Sequence, residues 1–274
     1  MKYTVQSTKY ITKNFWYIFP FAIIPAFFFA FSVDKEAIYC ALEIFASGDL
    51  SGFHFSHLFR AVSVLNFASW QAIVFGIIGI VLMVVCVAMM LALLDKHMRI
   101  GKRTYNGLFS KLNDNIVSTC GYALLLVIIY EFWSLITSAL LFFFSRIPLA
   151  PIAYTLSVLG FLAMHLLLIY AVGAIYLWLP CMQITGFKAM EALHYSYQLV
   201  SKVKWRILLG QIVMLLLVEC IVCTIAVFIA SEAGFMLLSA TLYALLIMLY
   251  CVRMEIAYFD RDNIERADLV KYYR

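Results

Sequence analysis

Apolar residues dominate six long stretches of the chain, at about 15–33, 71–94, 116–145, 152–182, 207–230 and 233–252. Crossing about 30 Å of hydrocarbon takes roughly 20 apolar residues in a helix. Hydrocarbon offers no hydrogen-bond partner to an exposed backbone, so each run must satisfy its own N–H and C=O groups, as a helix does. The pattern therefore predicts an all-α polytopic membrane protein, with six transmembrane helices forming a single integral membrane domain over 1–274. Residues 253–274 read as a charged cytoplasmic tail. The third and fourth runs approach 30 residues and must tilt or project beyond the bilayer. Pro20 and Pro25 are expected to kink the first run, and Pro148 and Pro151 to mark a tight turn between the third and fourth. The first run is too long for a signal-peptide core and lacks a small-residue cleavage site, so it is expected to remain as an anchor.

Shorter amphipathic stretches lie between the runs. In the outward connection 34–70, Ile38, Ala41, Leu42 and Phe45 suggest one short helix and Phe55, Phe59 and Val62 a second, ending at Trp70. Ser47-Gly48-Asp49 reads as the turn between them. These two helices are expected to lie flat over the hairpins, with a lid as the sharper alternative. Before the fifth run, Met190, Leu193, Tyr197 and Val200 fall on one helical face and Glu191, Tyr195, Gln198 and Lys202 on the other. Such a helix is expected in the interface plane, with Lys202, Lys204 and Arg206 beside anionic headgroups. Each basic side chain there contributes about 1 kcal/mol of attraction.

Composition agrees: 65% of the 274 residues are hydrophobic, 13% are charged, and the mean hydropathy is +0.97. The distribution of charge sets the expected orientation. Lys2, Lys9 and Lys13 precede the first run, and Lys96, Arg99, Lys102, Arg103 and Lys111 follow the second. Lys188, Lys202, Lys204 and Arg206 precede the fifth, and Arg253, Arg261, Arg266, Lys271 and Arg274 follow the sixth. Only Lys35, Arg60 and Arg146 fall on the opposite side. Both termini and the basic connections are thus expected in the cytoplasm. The net charge of +5 is explained by this topology, and nucleic acid is not an expected partner.

Three basic-side segments look alike. Thr8-Lys9-Tyr10-Ile11-Thr12-Lys13-Asn14-Phe15-Trp16 and Tyr197-Gln198-Leu199-Val200-Ser201-Lys202-Val203-Lys204-Trp205 align with a shift of 189 residues. This pairs Ile11 with Val200, Thr12 with Ser201, Lys13 with Lys202 and Trp16 with Trp205, and Leu108-Phe109-Ser110-Lys111 falls in the same register. The chain reads as a threefold repeat of an amphipathic segment followed by a transmembrane hairpin. Further, Leu179-Pro180, Gly186, Glu191-Ala192-Leu193, Ser196, Leu199 and Trp205-Arg206 follow one another in a single stretch of about 30 residues. This stretch resembles a bacterial group of polytopic proteins that includes the membrane domain of glycerophosphodiester phosphodiesterases. The resemblance implies a multi-pass protein of a bacterial plasma membrane. In those phosphodiesterases catalysis sits in a separate soluble barrel, for which this chain has no room, so no enzymatic activity is implied.

Candidate chemistry is confined to a few side chains. Glu131 lies mid-way along the third run, Glu219 mid-way along the fifth and His165 near the middle of the fourth. A charge at that depth costs roughly 3 kcal/mol or more unless solvated, paired or neutralised. Under a repeat shift of 91, Glu131 aligns with position 222, one turn from Glu219, and His165 is placed to pair with either acid. They are the candidates for a binding site or proton relay, weighed against plain interhelical hydrogen bonds of about 0.6 kcal/mol. Gln211 adds a polar group near the start of the fifth run. His54 and His57 sit three apart without a third ligand nearby, so no metal site is expected. The seven cysteines, Cys220-x-x-Cys223 included, read as small packing residues. Ser134 with Ser138 and Ala88 with Ala92 are small pairs that allow close helix approach. No Walker loop, dinucleotide glycine fingerprint, H-E-x-x-H or G-x-S-x-G elbow occurs. The reading is a non-enzymatic protein without a cofactor that binds or organises membrane lipids or assists another membrane protein. A small transporter or channel is the alternative.

Overall fold

The computed structural model describes residues 2–201 and 204–270. Six of its helices are long and apolar enough to cross a membrane, and their places match the six runs. The long helices are α1 (Lys2–Ser32), α4 (Trp70–Ile100), α5 (Leu108–Ser145), α6 (Ala150–Ala174), α9 (Lys204–Phe228) and α10 (Glu232–Arg261). Shorter ones are α2 (Lys35–Ser47), α3 (Phe55–Val62), α7 (Trp178–Thr185), α8 (Ala189–Ser201) and α11 (Ala267–Val270). The protein is a six-span helical membrane protein.

Helix boundaries follow local chemistry. Asp34, Ser69 and Ser231 cap α2, α4 and α10 by accepting from Ala37, Ala72 and Gly234 backbone N–H groups. Gly48 closes α2 in the left-handed region at φ 76°, and the Ser47-Gly48-Asp49 turn stands as expected. α3 ends at Val62 rather than running to Trp70: Ser63 already has extended dihedrals (φ −76°, ψ 144°), and Ser69 caps the start of α4.

Two breaks depart from the sequence pattern. In α1 the non-helical dihedrals fall at Asn14 (φ −121°, ψ 19°), whereas Pro20 and Pro25 keep helical values. Asn14 Nδ2 donates to the Tyr10 carbonyl at 2.9 Å and so competes with the backbone for that acceptor. The fourth run is not one helix over 152–182. It breaks at residues 175–177, between α6 and α7. Pro180 explains the break, since its ring would clash with the carbonyl four residues earlier, that of Tyr176.

Side-by-side packing closes the long helices into a ring in the order α1, α4, α5, α6, α9, α10 and back to α1. The three hairpins therefore occupy consecutive thirds of the ring. Ser134, Ser138 and Ala88 are fully buried, as close helix approach requires. The main core gathers the N-terminal half of α1, the C-terminal ends of α4 and α10, and α7 and α8. This is the basic end. The segment from residue 253 does not begin as a free tail: α10 runs to Arg261, and Arg253 to Phe259 are all buried. Burying Met254, Ile256, Ala257 and Phe259 continues the apolar face past the charged residues. The segment before the first span behaves likewise, since Tyr3, Ser7, Tyr10 and Ile11 pack inward and Lys2 pairs with Asp260 at 2.7 Å.

At the other end, α2 packs on α9 through Ile38 against Val222 and Ala226, and α3 packs on α5. Arg60 grips Asp34 through both Nε (2.8 Å) and Nη2 (2.5 Å), which ties the two short helices together.

Candidate functional site

Glu131 and Glu219 have separate partners. Glu131 Oε1 accepts from the backbone N–H groups of Val64 and Leu65, both at 2.9 Å, and Oε2 lies 2.8 Å from Ser63 Oγ and 3.3 Å from Ser134 Oγ. The segment after α3 has left helical geometry, so its amides need an acceptor, and the α5 carboxylate supplies one. Ser32 Oγ at the end of α1 completes the clamp by donating to the Val64 carbonyl at 2.8 Å. Glu131 thus holds the segment after α3 onto the bundle.

His165 lies with Glu219. Its Nε2 is 2.9 Å from Glu219 Oε1, and its Nδ1 is 2.9 Å from the Phe161 carbonyl. A carbonyl only accepts, so Nδ1 carries a proton. Trp133 packs edge-on against the imidazole at 4.9 Å and donates Nε1–H to the Met164 carbonyl, which holds α6 to α5 at this level. The arrangement can share one proton between an imidazole and a carboxylate.

Gln211 is buried, and neither of its side-chain polar atoms has a hydrogen-bond partner among the described residues. Close by is a residue that the sequence reading assigned to the tail. Arg253 is 1% exposed and donates from Nη2 to the carbonyls of Ile207 (2.7 Å) and Arg206 (3.3 Å) in the first turn of α9. Its guanidinium occupies the space beside Gly210 that a side chain would fill, for a Cβ there would meet Nη2 at 2.2 Å. The signal was present: Met254-Glu255-Ile256-Ala257-Tyr258-Phe259 continues an apolar pattern beyond Arg253.

His54 and His57 stand with ring centroids 5.8 Å apart at the start of α3, and no group of three potential metal ligands occurs among the described residues. Cys220 is exposed and Cys223 half-buried on α9, both as free thiols.

The basic side chains sit around α8. Lys202 lies outside the described residues. Lys204 Nζ sits 4.3 Å over the Tyr170 ring of α6, and Arg206 and Trp205 are exposed. The α8 faces differ from the periodic reading. Ala192, Ser196, Leu199 and Val200 turn into the protein, whereas Met190 and Tyr197 are 76% and 56% exposed. Val200 thereby parts from the apolar face assigned to it. Between that outer face and the end of α6 runs a groove of 440 Å³, lined by Ala174, Ile175, Met190, Leu193, His194 and Tyr197.

The chain matches no family model, no curated protein and no solved structure. The resemblance to the phosphodiesterase membrane domain therefore rests on the motif residues from Leu179 to Arg206 alone. Of those, Glu191 and Trp205 are exposed, while Leu179, Pro180, Ala192, Ser196 and Leu199 are buried. The buried members of the motif serve packing of α7 and α8, and the exposed ones face outward from it.

Proposed function

We propose that the protein is a non-enzymatic, lipid-interacting protein of the bacterial plasma membrane. Its termini face the cytoplasm, and its basic end organises the adjoining leaflet or supports another membrane protein. The observation that carries this reading is α8. One face is packed into the protein, and the other presents Met190 and Tyr197 at a level where Lys204, Trp205 and Arg206 stand at the start of α9. Exposed apolar residues flanked by lysine and arginine suit the boundary between headgroups and acyl chains. The strong bias of Lys and Arg toward this end supports a cytoplasmic orientation. The distant likeness to the phosphodiesterase membrane domain supports a bacterial setting.

The test is lipid selectivity. Purified protein in detergent is supplemented with phosphatidylglycerol or phosphatidylcholine, and its thermal midpoint is followed. The anionic lipid is expected to raise the midpoint more, and changing Lys202, Lys204 and Arg206 together to Gln is expected to remove the difference. Equal responses of the wild-type protein to both lipids would reject the reading.

A second reading, a small transporter or channel, draws support from the His165–Glu219 contact. It expects Glu219→Gln to abolish proton-coupled uptake in reconstituted vesicles while the fold stays intact. An amide cannot give up the proton that such coupling needs.

A further inference from the structure

We infer that the pocket between the α2–α3 connection and the α5–α6 turn binds a small zwitterion of the α-amino-acid kind, its carboxylate at Arg146 and its ammonium at Asp49. The pocket lies at the end of the protein opposite the basic side, so the inference goes beyond the lipid reading and does not rest on it.

Three contacts set the height of the pocket. Ser32, the last residue of α1, bonds the Val64 carbonyl, and Glu131 holds the Val64 and Leu65 amides, so Glu131 stands level with the outer end of α1. Lys35 Nζ donates to the Ala230 carbonyl at 2.9 Å, which puts the end of α9 near the same plane. Arg146 closes the far end of α5, about 22 Å beyond Glu131 by the rise of an α-helix. There its Nη2 donates to the Phe53 carbonyl at 3.1 Å, just ahead of α3. The short helices and the α5–α6 hairpin thus project past the other spans, and the pocket opens near their tip, within reach of a soluble guest.

Size and charge select the guest. The cavity holds 280 Å³, at the small end of ligand pockets, which start at roughly 300 Å³. Leu50 and Ala153 form a fixed apolar floor, buried in one core with Phe53, Leu58 and Leu141. The walls carry opposite charges. Arg146 is steadied by the Phe53 carbonyl and by the Phe142 ring, 4.6 Å from its Cζ, and its remaining N–H groups have no acceptor among the described residues. Asp49 is steadied by its own turn, Oδ1 accepting from the Ser51 N–H at 3.0 Å. Hydrogen bonds from the Ser51 hydroxyl and N–H hold its carboxyl below the usual range, so it is ionised at neutral pH. Both groups line the pocket, yet neither forms a salt bridge among the described residues. A plain anion there would meet Asp49 and a plain cation Arg146, whereas a zwitterion satisfies both. Arg146 is the natural carboxylate end, since a guanidinium offers its donors in a fork. The first turn of α6 opens on the same pocket without a side-chain cap and adds partial positive charge beside Arg146.

The experiment follows the thermal midpoint of the purified full chain in detergent against a panel of the common L-amino acids at millimolar concentration. At least one is expected to raise the midpoint saturably. Its amide, which lacks the carboxylate, and its N-acetyl derivative, which lacks the ammonium, are each expected to bind about tenfold or more weakly. Arg146→Gln and Asp49→Asn are expected to weaken the amino acid by a similar factor. Asn still caps the turn at an exposed position, so the midpoint of Asp49→Asn without ligand is expected to stay near that of the wild type, which shows that it has folded. Ala150→Phe, also at an exposed position, fills the pocket and is expected to abolish the response. No shift with any amino acid, or a shift that persists in both Asp49→Asn and Ala150→Phe, would overturn the site. Undiminished binding of the N-acetyl derivative or of the amide would overturn the zwitterion. Phosphoethanolamine binding more tightly than every amino acid would overturn the carboxylate as the anionic group and point to a lipid headgroup instead.

Discussion

His165 Nε2 lies 2.9 Å from Glu219 Oε1, joining α6 to α9 across 54 residues of sequence. With Nδ1–H committed to the Phe161 carbonyl, one proton remains for the two facing atoms. Whether it rests on imidazole or carboxylate, the pair has no net charge. Neutrality of the pair is what makes it tolerable inside a membrane.

That geometry predicts a graded response at Glu219. Glu219→Gln donates to a neutral His165 Nε2 and is expected to unfold within about 0.5 kcal/mol of wild type. Glu219→Leu strands the ring nitrogen. A double-mutant cycle with His165→Ala and Glu219→Ala is expected to give a coupling of about 0.6–2 kcal/mol, read from unfolding in mixed micelles. Additive single effects would mean that the contact has no energetic weight.

Glu131 has a different task and a different prediction. Its Oε1 serves two backbone amides, and a Gln oxygen accepts the same two bonds, so Glu131→Gln is expected to be mild. Glu131→Leu leaves the Val64 and Leu65 N–H groups without their acceptor and is expected to cost about 1–3 kcal/mol. A cysteine at Asn66 would then become more reactive to a water-soluble maleimide. Unchanged reactivity at that position in the Leu variant would rule out the clamp.

Gly210 and Arg253 form a matched pair. Gly210→Ala places a methyl 2.2 Å from Nη2 of a guanidinium that is buried and hydrogen-bonded to the Ile207 carbonyl, so the head group must shift from that bond. A loss of about 1–3 kcal/mol is expected. Adding Arg253→Met should restore part of it, because the flexible thioether gives way to the methyl. If the double variant is less stable than either single one, the two residues do not compete for this space.

Orientation is testable by labelling. Cysteines introduced at Asp49 and Arg146 in a cysteine-free background are expected to react with an impermeant thiol reagent in intact cells, and those at Lys102 and Arg266 only after permeabilisation. Reaction at Lys102 in intact cells would invert the proposed topology.

Six spans and their one-sided charge were legible in the sequence, because a run of about 20 apolar residues has one stable solution in hydrocarbon. The pairing of His165 with an intramembrane acid was also legible, since few polar groups exist at that depth. Several features were decided only by tertiary structure. Glu131 takes its partners from a non-helical segment 66–68 residues earlier in the chain, which no helical periodicity reveals. The burial of Arg253 depends on Gly210 of another helix leaving it room. The side of α8 that turns inward follows the same logic. Lipid and protein interior are about equally apolar, so an apolar face read from sequence does not say which of the two it meets. Only packing against α7 and the end of α10 assigns Ala192 and Val200 to the protein and Met190 and Tyr197 to the outside.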